Sequence, residues 1–579
     1  MKKALYFSLS VLLMVSLTAC EKFLTRPVED GDSESSYYQN DAQCIAGVNY
    51  LYNSPWYDIM RGFMNVGEKL SGNYYAGSDG YVQFNVSASD KNLLNMSRSL
   101  WAINSNCSAL YNRLQTANCS EEVRNQCMGE VLTWKAYAYF TIIRTFGDAP
   151  LIHDVAAEMG TGNYNSINKV KKEDLYEYVV LLLEKAMSLL PKKVANMDGR
   201  IDYYSAEALL AKVYLTKAGV TGTLSQADLD NAAKYSLDVI KNSGRELMPV
   251  YSDIFRGSNN KNIEALISWH WIVGSHWTSQ NTFQSDLGME GFCEVGNVWG
   301  SWAGPSIALQ DAFGVLATDN PASRPGDVDV RRKATYMLAG DTYSYFWRDK
   351  GGFDYLRFIY DPTYWPGNLG ANSSGGTVKS PTGAACVKHL YGDTADHLAE
   401  CGHADDRMAY SVSTHILRLA DVYLIYAESK CKGPGTSTTD ADALEAFYQV
   451  RHRGRSNYNK PSSITWEDVW KERNLELAME GDRWYDYVRR SYYDMTGAIS
   501  ELKAQRRNRW NGDLDAVYKA YYEGGVWDAS GITYDTADAS ASNVTEATFS
   551  VPYPSEDVVY NPLLLEEAIH VDVRETINL

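Results

Sequence analysis

The stretch 466–490 most constrains the fold, because it places charged residues on an apolar helical face. Apolar and aromatic side chains recur there at three- and four-residue steps, which predicts one helix over the whole stretch. Arg473 and Glu480 lie on the same stripe as Leu477. Buried charges persist only when they are paired and hydrogen-bonded. We therefore expect Arg473, Glu480 and Arg483 to form a structural charge network, with one another or with other charged partners, that ties this helix to its neighbours.

Pairs of amphipathic helices account for most of the other regular structure. Small alanines beside large apolar residues let two neighbouring helices approach closely. The pattern predicts a mainly α protein with a tetratricopeptide-like helical-hairpin core of four degenerate repeats. The predicted pairs are 42–52 with 100–117, 121–145 with 172–190, 204–218 with 224–240, and 415–430 with 441–453.

Two irregular inserts, at about 243–414 and 512–547, separate parts of this helical core. The first is rich in Gly, Trp, Tyr, Asn and Pro and shows little helical periodicity. A Gly-, Asn- and Tyr-rich loop at 67–92 also separates the first two helices. Long aromatic loops on a rigid core are a frequent location of binding sites. We therefore expect a single domain over 42–579, with its repeat core at about 42–242 and 415–490 and a large, loop-rich ligand-binding subdomain.

The N-terminus contains a targeting segment. Lys2 and Lys3 precede an apolar run too short to span a bilayer, and Leu-Thr-Ala-Cys follows at 17–20. This order predicts a signal peptide over 1–19, and its ending resembles a bacterial lipoprotein signal in which Cys20 is acylated. More than one acyl chain gives stable anchoring. The polar segment 20–41 is then a lipid-anchored tether; a plain secreted protein cut nearby is the alternative.

The net charge of −18 argues against partners that require a basic surface. Nucleic acids and anionic membranes both attract Lys and Arg patches, so we expect no nucleic-acid partner. The 42 Tyr and 15 Trp residues suit a recognition surface, because each ring has an apolar face and a polar tip. Of nine cysteines, eight follow Cys20, without a CxxC pair or zinc-module spacing. We expect mostly free structural thiols.

Sequence motifs for catalysis are absent. The chain contains no H-E-x-x-H, P-loop, G-x-S-x-G or EF-hand motif. Carboxylate pairs that cleave glycosidic bonds meet only in space, so a glycosidase remains an alternative at this stage. We expect a protein that is not an enzyme and that has no cofactor and no metal site.

Short motifs occur in a fixed order along nearly the whole chain after the signal segment. In chain order they are Cys20, WKAYAYF at 134–140, FGDAPL at 146–151, ALLAKVYL at 208–215, LRLADVYL at 417–424, RHR at 451–453, ERNLELAMEGDRW at 472–484, PSED at 554–557 and Asn561-Pro562. Although no single motif is decisive, the ordered set resembles the SusD/RagB family of outer-membrane nutrient-binding lipoproteins. The C-terminus departs from the family pattern, since Leu-Leu-Leu-Glu-Glu-Ala follows Asn561 and Pro562 in place of an Asn-Pro-Gly-Tyr-like ending.

The resemblance implies four tetratricopeptide-like units and an irregular subdomain, anchored at the outer face of the outer membrane. Family members cover a SusC-like TonB-dependent transporter and deliver oligosaccharides to it or, in the RagB-like branch, peptides. The implied ligand is a starch-, plant- or host-type oligosaccharide, with a peptide as the alternative. A non-catalytic surface scaffold of helical repeats is a further alternative, which the long aromatic inserts disfavour.

Candidate ligand-binding residues combine aromatic faces, on which sugar rings stack, with polar side chains for the hydroxyl groups. Trp101 and Asn104, one helical turn apart, form one candidate cluster with Asp79 and Tyr81, and the family resemblance supports it by position. For Trp101 the alternative is a place in the core. The other candidates are Trp269 and Trp271 on a predicted strand, with burial as their alternative, Trp299 and Trp302 in a Gly-rich loop, and Tyr364 and Trp365 between two prolines.

Overall fold

The computed structural model describes residues 37–578, apart from 164, 294–299, 325–328, 365–375 and 538–542. Cys20, the predicted signal peptide, most of the tether, Trp299 and Trp365 lie outside the described residues. The described part is mostly helical with short strands, which confirms the predicted mainly α class. None of its helices is both long enough and apolar enough to cross a membrane.

The long helices lie in the predicted repeat core, and the helices of the first insert are short. A π-helical turn, Phe63–Lys69, directly follows α2. The α-helices of the described residues are α1 Asp41–Asn49, α2 Ile59–Gly62, α3 Lys91–Gln115, α4 Glu121–Phe146, α5 Val155–Thr161, α6 Lys172–Leu189, α7 Tyr203–Lys217, α8 Gln226–Asn242, α9 Phe283–Leu287, α10 Ile307–Phe313, α11 Val330–Thr335, α12 Tyr355–Tyr360, α13 Thr394–Cys401, α14 Leu419–Cys431, α15 Ala441–Gly454, α16 Trp466–Leu477, α17 Arg483–Ser491, α18 Met495–Ala504, α19 Leu514–Gly524, α20 Ser555–Tyr560 and α21 Val573–Thr576.

The described strands form separate two-stranded antiparallel pairs rather than a larger sheet. The pairs are β1 with β5, β2 with β3, β4 with β10, β6 with β9, β7 with β8, β11 with β12, and β13 with β14. The strands are β1 Tyr74–Tyr75, β2 Ala149–Pro150, β3 Lys169–Val170, β4 Ala265–Trp269, β5 Gly304–Pro305, β6 Tyr336–Met337, β7 Thr342–Tyr343, β8 Phe353–Asp354, β9 Ala385–Cys386, β10 Thr414–Arg418, β11 Ser437–Thr438, β12 Ile464–Thr465, β13 Trp510–Asn511 and β14 Thr533–Tyr534.

The long helices pack in sequence order and form the predicted repeat core. Helix α3 packs against α4, α4 against α6, α6 against α7, and α7 against α8. Helix α8 packs against α14, which lies beyond the first insert and contacts α15 and α16. Ser120, Asp202 and Ser225 cap the N-termini of α4, α7 and α8 by accepting backbone N–H bonds. Gly129 allows close packing, because a Cβ there would lie 2.5 Å from Leu190 Cγ.

The prediction of one helix over 466–490 is wrong, because α16 ends at Leu477 and α17 begins at Arg483. Met479 and Gly481, in the intervening segment 478–482, have positive φ angles of 63° and 76°. Gly481 lies against Gly67 of the π-helical turn, where a Cβ on either glycine would collide with its neighbours. Helical geometry cannot continue through residues in the left-handed region. We call 478–482 the interhelical break.

Arg473 is fully buried between carboxylates that lie on other elements. Its guanidinium group lies 2.7 Å from Asp421 on α14 and 3.1 Å from Asp486 on α17. Arg489 extends the cluster, with ion pairs of 2.5 Å to Glu428 and 3.0 Å to Asp486. Arg473 and Glu480 therefore do not pair with each other, and each has other charged partners.

Glu480 belongs to a second buried cluster, beside the interhelical break. It pairs with Arg418 at 2.8 Å and with Lys388 at 2.9 Å. Arg418 also lies 2.7 Å from Glu264 and 2.5 Å from Glu476. The two clusters contain residues from the repeat core and from the first insert, and we refer to them together as the buried charge network.

Arg483, the third residue of the predicted network, lies at the first turn of α17. Its guanidinium carbon lies 3.9 Å from the centroid of the Trp470 ring, a cation–π contact that joins α17 to α16. A longer ion pair of 3.5 Å joins it to Asp486.

The C-terminal segment, whose position the family resemblance left open, lies against α6 and β3. Ile569 forms a parallel bridge with Val170 and accepts the N–H of Lys171 at 3.0 Å. The imidazole of His570 lies 2.9 Å from the Asp174 carboxylate. The chain end therefore packs on the repeat core, away from the first insert.

Arg473→Ala is expected to lower the free energy of unfolding by about 3–5 kcal/mol, because it leaves the carboxylates of Asp421 and Asp486 buried without this partner. Urea denaturation followed by tryptophan fluorescence measures the loss. Arg98→Ala is the control, since Arg98 pairs with Glu556 at the surface, where both side chains are more than half exposed. That change should cost at most about 1 kcal/mol. Equal losses in the two variants would contradict a structural role for the network.

Asp482 is expected to make stability fall in acid. Burial alone would raise the pKa of this carboxyl group, but Lys212 and Arg144 lower it to about 2. An unfolded Asp has a pKa of about 3.9, so the stabilisation is present above that pH and is lost as the pH falls toward 2. Asp482→Asn should cost about 2–3 kcal/mol at neutral pH and less near pH 2. Urea denaturation at several pH values tests this, and a constant cost would contradict it.

Candidate functional site

A cleft of about 300 Å³ lies where the loop 67–92 meets the first insert. The π-helical turn and the start of α3 form one side, and α9 and the residues before β5 form the other. We call it the Trp302 cleft, after its most exposed aromatic side chain. Its lining residues are Met60, Arg61, Met64, Asn65, Lys69, Tyr74, Ala76, Asn92, Asp286, Leu287, Trp302 and Ala303.

Strands β1 and β5 position the aromatic side of the cleft. Tyr74 lies opposite Pro305 in this pair, and the N–H of Ser306 donates to the carbonyl oxygen of Asn73 at 2.9 Å. Gly304 permits the close approach of β5 to the next layer, since a Cβ there would lie 2.5 Å from the carbonyl oxygen of Ala384. These backbone contacts fix Tyr74 relative to the segment that contains Trp302.

Trp302 offers an accessible ring for stacking. Its side chain is 55% exposed, while Leu287 and Ala303 beside it are buried. The ring lies near Gly77, where an added Cβ would be 4.0 Å from Cζ3. Flat apolar faces of this kind bind the C–H faces of sugar rings.

Charged groups at the cleft occur in pairs of opposite sign. Lys69 Nζ lies 2.9 Å from Asp79 Oδ2, and Asp79 also accepts the N–H of Tyr81 at 2.8 Å. Arg61 and Asp286 form a looser pair at 3.9 Å, with half of the Arg61 side chain exposed. The cleft is therefore polar without a strong net charge, which suits a ligand rich in hydroxyl groups better than a highly charged one.

A larger groove of about 670 Å³ runs along α6, α7 and α8. It contains none of the candidate residues. Lys192 Nζ lies 4.1 Å from the centroid of the Tyr203 ring, and Lys234 Nζ lies 4.7 Å from that of Tyr235. Each lysine thus covers one face of its tyrosine ring, which leaves these rings less available for stacking than the exposed Trp302.

The candidates from the loop 67–92 lie near the cleft in different roles. Asp79 forms an ion pair with the cleft-lining Lys69 and does not itself line the cleft. Tyr81 is buried, and its hydroxyl donates to Asp90 Oδ1 at 2.9 Å, next to the first turn of α3. The Tyr81 ring is therefore part of the core and is not accessible to a ligand.

Trp269 and Trp271 are core residues, which corrects their assignment as ligand candidates. Trp269 is fully buried and stacks on Trp56, with ring centroids 5.5 Å apart. Trp271 is 4% exposed and donates Nε1–H to Thr414 Oγ1 at 3.0 Å. Neither ring is accessible, because both fill the contact between the repeat core and the first insert.

Trp101 and Asn104 do not join the cleft. Trp101 is partly buried and packs edge-on against Tyr139 of α4, with centroids 6.0 Å apart. Asn104 is 1% exposed and donates to the carbonyl oxygen of Ile152 at 3.1 Å. These contacts lie where α3 packs on α4 and on the segment after β2, and neither residue lines the Trp302 cleft.

Tyr364 is also held by the protein itself. Its hydroxyl donates to the carbonyl oxygen of Gly352 at 2.6 Å and accepts the N–H of Asp354 at 2.8 Å. The guanidinium carbon of Arg357 lies 4.2 Å from its ring centroid and covers one face. Trp299 and Trp365 lie outside the described residues.

Several residues of the cleft were not among the sequence candidates. Lys69, Tyr74 and Asn92 lie in the loop 67–92, whose length and aromatic content had marked it as functional. Arg61 and Asp286 had no such signal, because they lie on short helical segments without a recognisable motif. Only the fold brings these two side chains to the same opening.

The eight cysteines that follow Cys20 are free thiols. Burial raises the pKa of Cys107 to about 12, which leaves this thiol protonated and unreactive at neutral pH. Within the described residues, no group of three or more His, Cys, Asp or Glu side chains is arranged to hold a metal ion.

Comparison with known proteins identifies relatives of the whole chain. A family model described as SusD family matches residues 295–567, and one described as starch-binding, associating with the outer membrane, matches 75–215. A SusD-like protein of Bacteroides ovatus is 30% identical, over 97% of this chain and 98% of that protein.

Solved structures agree with this relationship. A crystal structure with xylogluco-oligosaccharide has a TM-score of 0.75 and 27% identity, over 91% of this chain and 99% of the other. A SusD-like carbohydrate-binding protein from Bacteroides fragilis, 17% identical, has a TM-score of 0.66 over 91% of this chain and 99% of the other. With its sequence similarity to a relative along nearly its full length, the chain belongs to the SusD family.

Proposed function

We propose that this protein captures oligosaccharides at the cell surface in the Trp302 cleft and delivers them to a SusC-like TonB-dependent outer-membrane transporter, without acting on them chemically. The observation that supports capture is the exposed Trp302 ring in a cleft lined by polar side chains. Stacking on one ring orients a sugar, and neighbouring polar groups select its hydroxyl pattern.

The charge pairs of the cleft favour a neutral glycan. Arg61 faces Asp286 and Lys69 faces Asp79, so each cation is partly neutralised before a ligand arrives. A sugar hydroxyl can donate to the carboxylate and accept from the cation of the same pair. The solved relative with xylogluco-oligosaccharide makes a neutral plant-type oligosaccharide the first ligand to test. A peptide is the alternative that the same binding experiment examines.

Lipid anchoring through Cys20 would place the cleft outside the outer membrane. The outer-membrane association in the family-model description supports this location. The segment 20–41 would then act as the tether between the membrane and α1. A tethered protein stays close to a transporter in the same membrane, which raises their effective concentration without requiring a tight contact.

Trp302→Ala is expected to weaken binding of a xylogluco-oligosaccharide at least about tenfold, or on the order of 1.4 kcal/mol, because it removes the stacking face. Isothermal titration calorimetry on the protein from Glu21 onward measures the affinity. Stability should change by less than about 0.5 kcal/mol, since the ring is largely exposed.

Trp277→Ala is the matched control, because Trp277 is also exposed, at 45%, and does not line the cleft. The Trp277→Ala variant should bind the xylogluco-oligosaccharide with the same affinity as the unchanged protein. Unchanged binding by Trp302→Ala, or binding of peptides but of no tested oligosaccharide, would refute saccharide capture in this cleft.

Cys20→Ser is expected to abolish labelling with radioactive palmitate and to release the protein from the membrane fraction, because it removes the residue proposed to carry the acyl chains. Cys401→Ser, which removes a partly exposed thiol within the fold, should keep both the label and the location. A membrane-bound, labelled Cys20→Ser variant would contradict the proposed anchor.

A further inference from the structure

Glu68 belongs to the π-helical turn that supplies Met64, Asn65 and Lys69 to the Trp302 cleft. Unlike these three residues, it does not line the cleft and is fully buried. A buried carboxyl group loses its hydration and must find hydrogen-bond donors within the protein. The identity of its donors therefore shows what this residue holds in place.

The carboxylate of Glu68 joins two distant segments of the chain. Its Oε1 accepts the N–H of Gly481 in the interhelical break at 2.6 Å. Its Oε2 accepts Nδ2–H of Asn73 at 2.9 Å. The Glu68 carbonyl oxygen also accepts the N–H of Asn73 at 3.0 Å. Glu68 thus fixes Asn73 to the segment that connects the two halves of the buried charge network.

Asn73 in turn positions the aromatic side of the cleft. Its carbonyl oxygen accepts the N–H of Ser306, and the next residue, Tyr74, pairs with Pro305. Tyr74 lines the cleft, and Trp302 lies just before β5. A rotation or shift at Asn73 therefore changes the relation between Tyr74 and the stacking ring.

The groups around Glu68 leave it without a direct counter-ion. Lys388 acts on it from a distance, but the Lys388 ammonium group is itself bonded to Glu480 at 2.9 Å. The thiol of Cys386, on β9, is the titratable group of that strand that faces Glu68. Next to Gly481, Asp482 is paired with Arg144 and Lys212. Among the described residues, no Lys or Arg forms an ion pair with Glu68.

Burial raises the pKa of Glu68 to about 7, against the lowering effects of Asn73, of the Gly481 and Met479 N–H groups and of Lys388. Both forms are therefore populated near neutral pH. The ionised form accepts from both donors at once. The protonated form has a hydroxyl group that must donate, and Asn73 is the partner that can rotate its amide to accept, because the Gly481 N–H is fixed in a positive-φ turn.

We propose that Glu68 is a positioning residue for the Trp302 cleft, and that its ionisation holds Tyr74 and Trp302 in the arrangement that binds oligosaccharide. Affinity then falls as the pH decreases through neutrality, even though the ligand is uncharged. The affinity claim rests on the proposed function, whereas the positioning of the segment 70–76 does not depend on any ligand.

The test compares the unchanged protein with Glu68→Gln, which keeps the size of the side chain and removes its titration. Xylogluco-oligosaccharide affinity of the unchanged protein should be about fivefold or more weaker at about pH 5.5 than at about pH 8, within the usual range of coupling between sites. Glu68→Gln should bind with the weaker affinity at every pH. A pH profile retained by Glu68→Gln, or a flat profile in the unchanged protein, would overturn the proposal.

Glu207→Gln is the control for titration elsewhere in the protein. Burial and the neighbouring Asp238 raise the pKa of Glu207 to about 8, so this carboxyl group titrates in the same range. It lies on α7 in the groove along α6–α8, apart from the cleft. This variant should keep the pH profile of the unchanged protein.

Hydrogen exchange of the segment 70–76 gives a second readout that needs no ligand. Exchange, corrected for its intrinsic pH dependence, should be faster at acidic pH in the unchanged protein and pH-independent in Glu68→Gln. Equal pH dependence in the two proteins would overturn the positioning role. If the unchanged protein binds no oligosaccharide but shows the expected hydrogen exchange, the proposed function is refuted and the positioning role of Glu68 is still supported.

Discussion

The ion pairs of Arg418 with Glu264, Glu476 and Glu480 are the interaction on which the rest of the structure depends. Glu264 lies immediately before β4 in the first insert, whereas Glu476 belongs to α16 in the repeat core. Buried charges are costly until their partners are in place, so neither part of the chain satisfies them alone. We therefore expect the repeat core and the first insert to fold together. We expect the network to contribute to specificity of arrangement more than to net stability, because desolvation offsets much of the Coulomb attraction between buried charges.

The interhelical break converts this network into a support for the cleft. Glu480 pairs with Arg418 and Asp482 pairs with Lys212, while Gly481 between them has a backbone N–H that a continuous helix would use internally and that here bonds Glu68. The positive φ of Gly481 and its contact with Gly67 allow the interhelical break to lie close to the π-helical turn. The hydrogen bond from Gly481 to Glu68 thus connects the buried charge network to the π-helical turn that lines the cleft.

The sequence predicted the parts of the fold that follow a period. The paired helices and the inward direction of Arg473 follow from three- and four-residue spacing, whereas Glu480 is buried although it lies outside a helix. The break at 478–482 was missed, although Gly481 followed by Asp482 is a common end-and-start signal for two helices. The apolar stripe continues in phase on both sides, and this continuity concealed the interruption. In the site, Arg61 and Asp286 could not be predicted, because only the packing of the insert brings them together.

The aromatic residues of the insert explain why the sequence candidates included buried tryptophans such as Trp269 and Trp271. A loop-rich region has many backbone carbonyl groups outside helices and sheets, and buried ones need donors. Large rings fill its volume and supply those donors: Trp347 Nε1–H bonds the carbonyl oxygen of Phe292, and the Tyr410 hydroxyl bonds that of His389. Richness in Trp and Tyr is therefore first a solution to packing without regular structure. Exposure, which Trp302 has and Trp269 lacks, decides which ring a ligand can reach, and exposure depends on three-dimensional packing that no local spacing encodes.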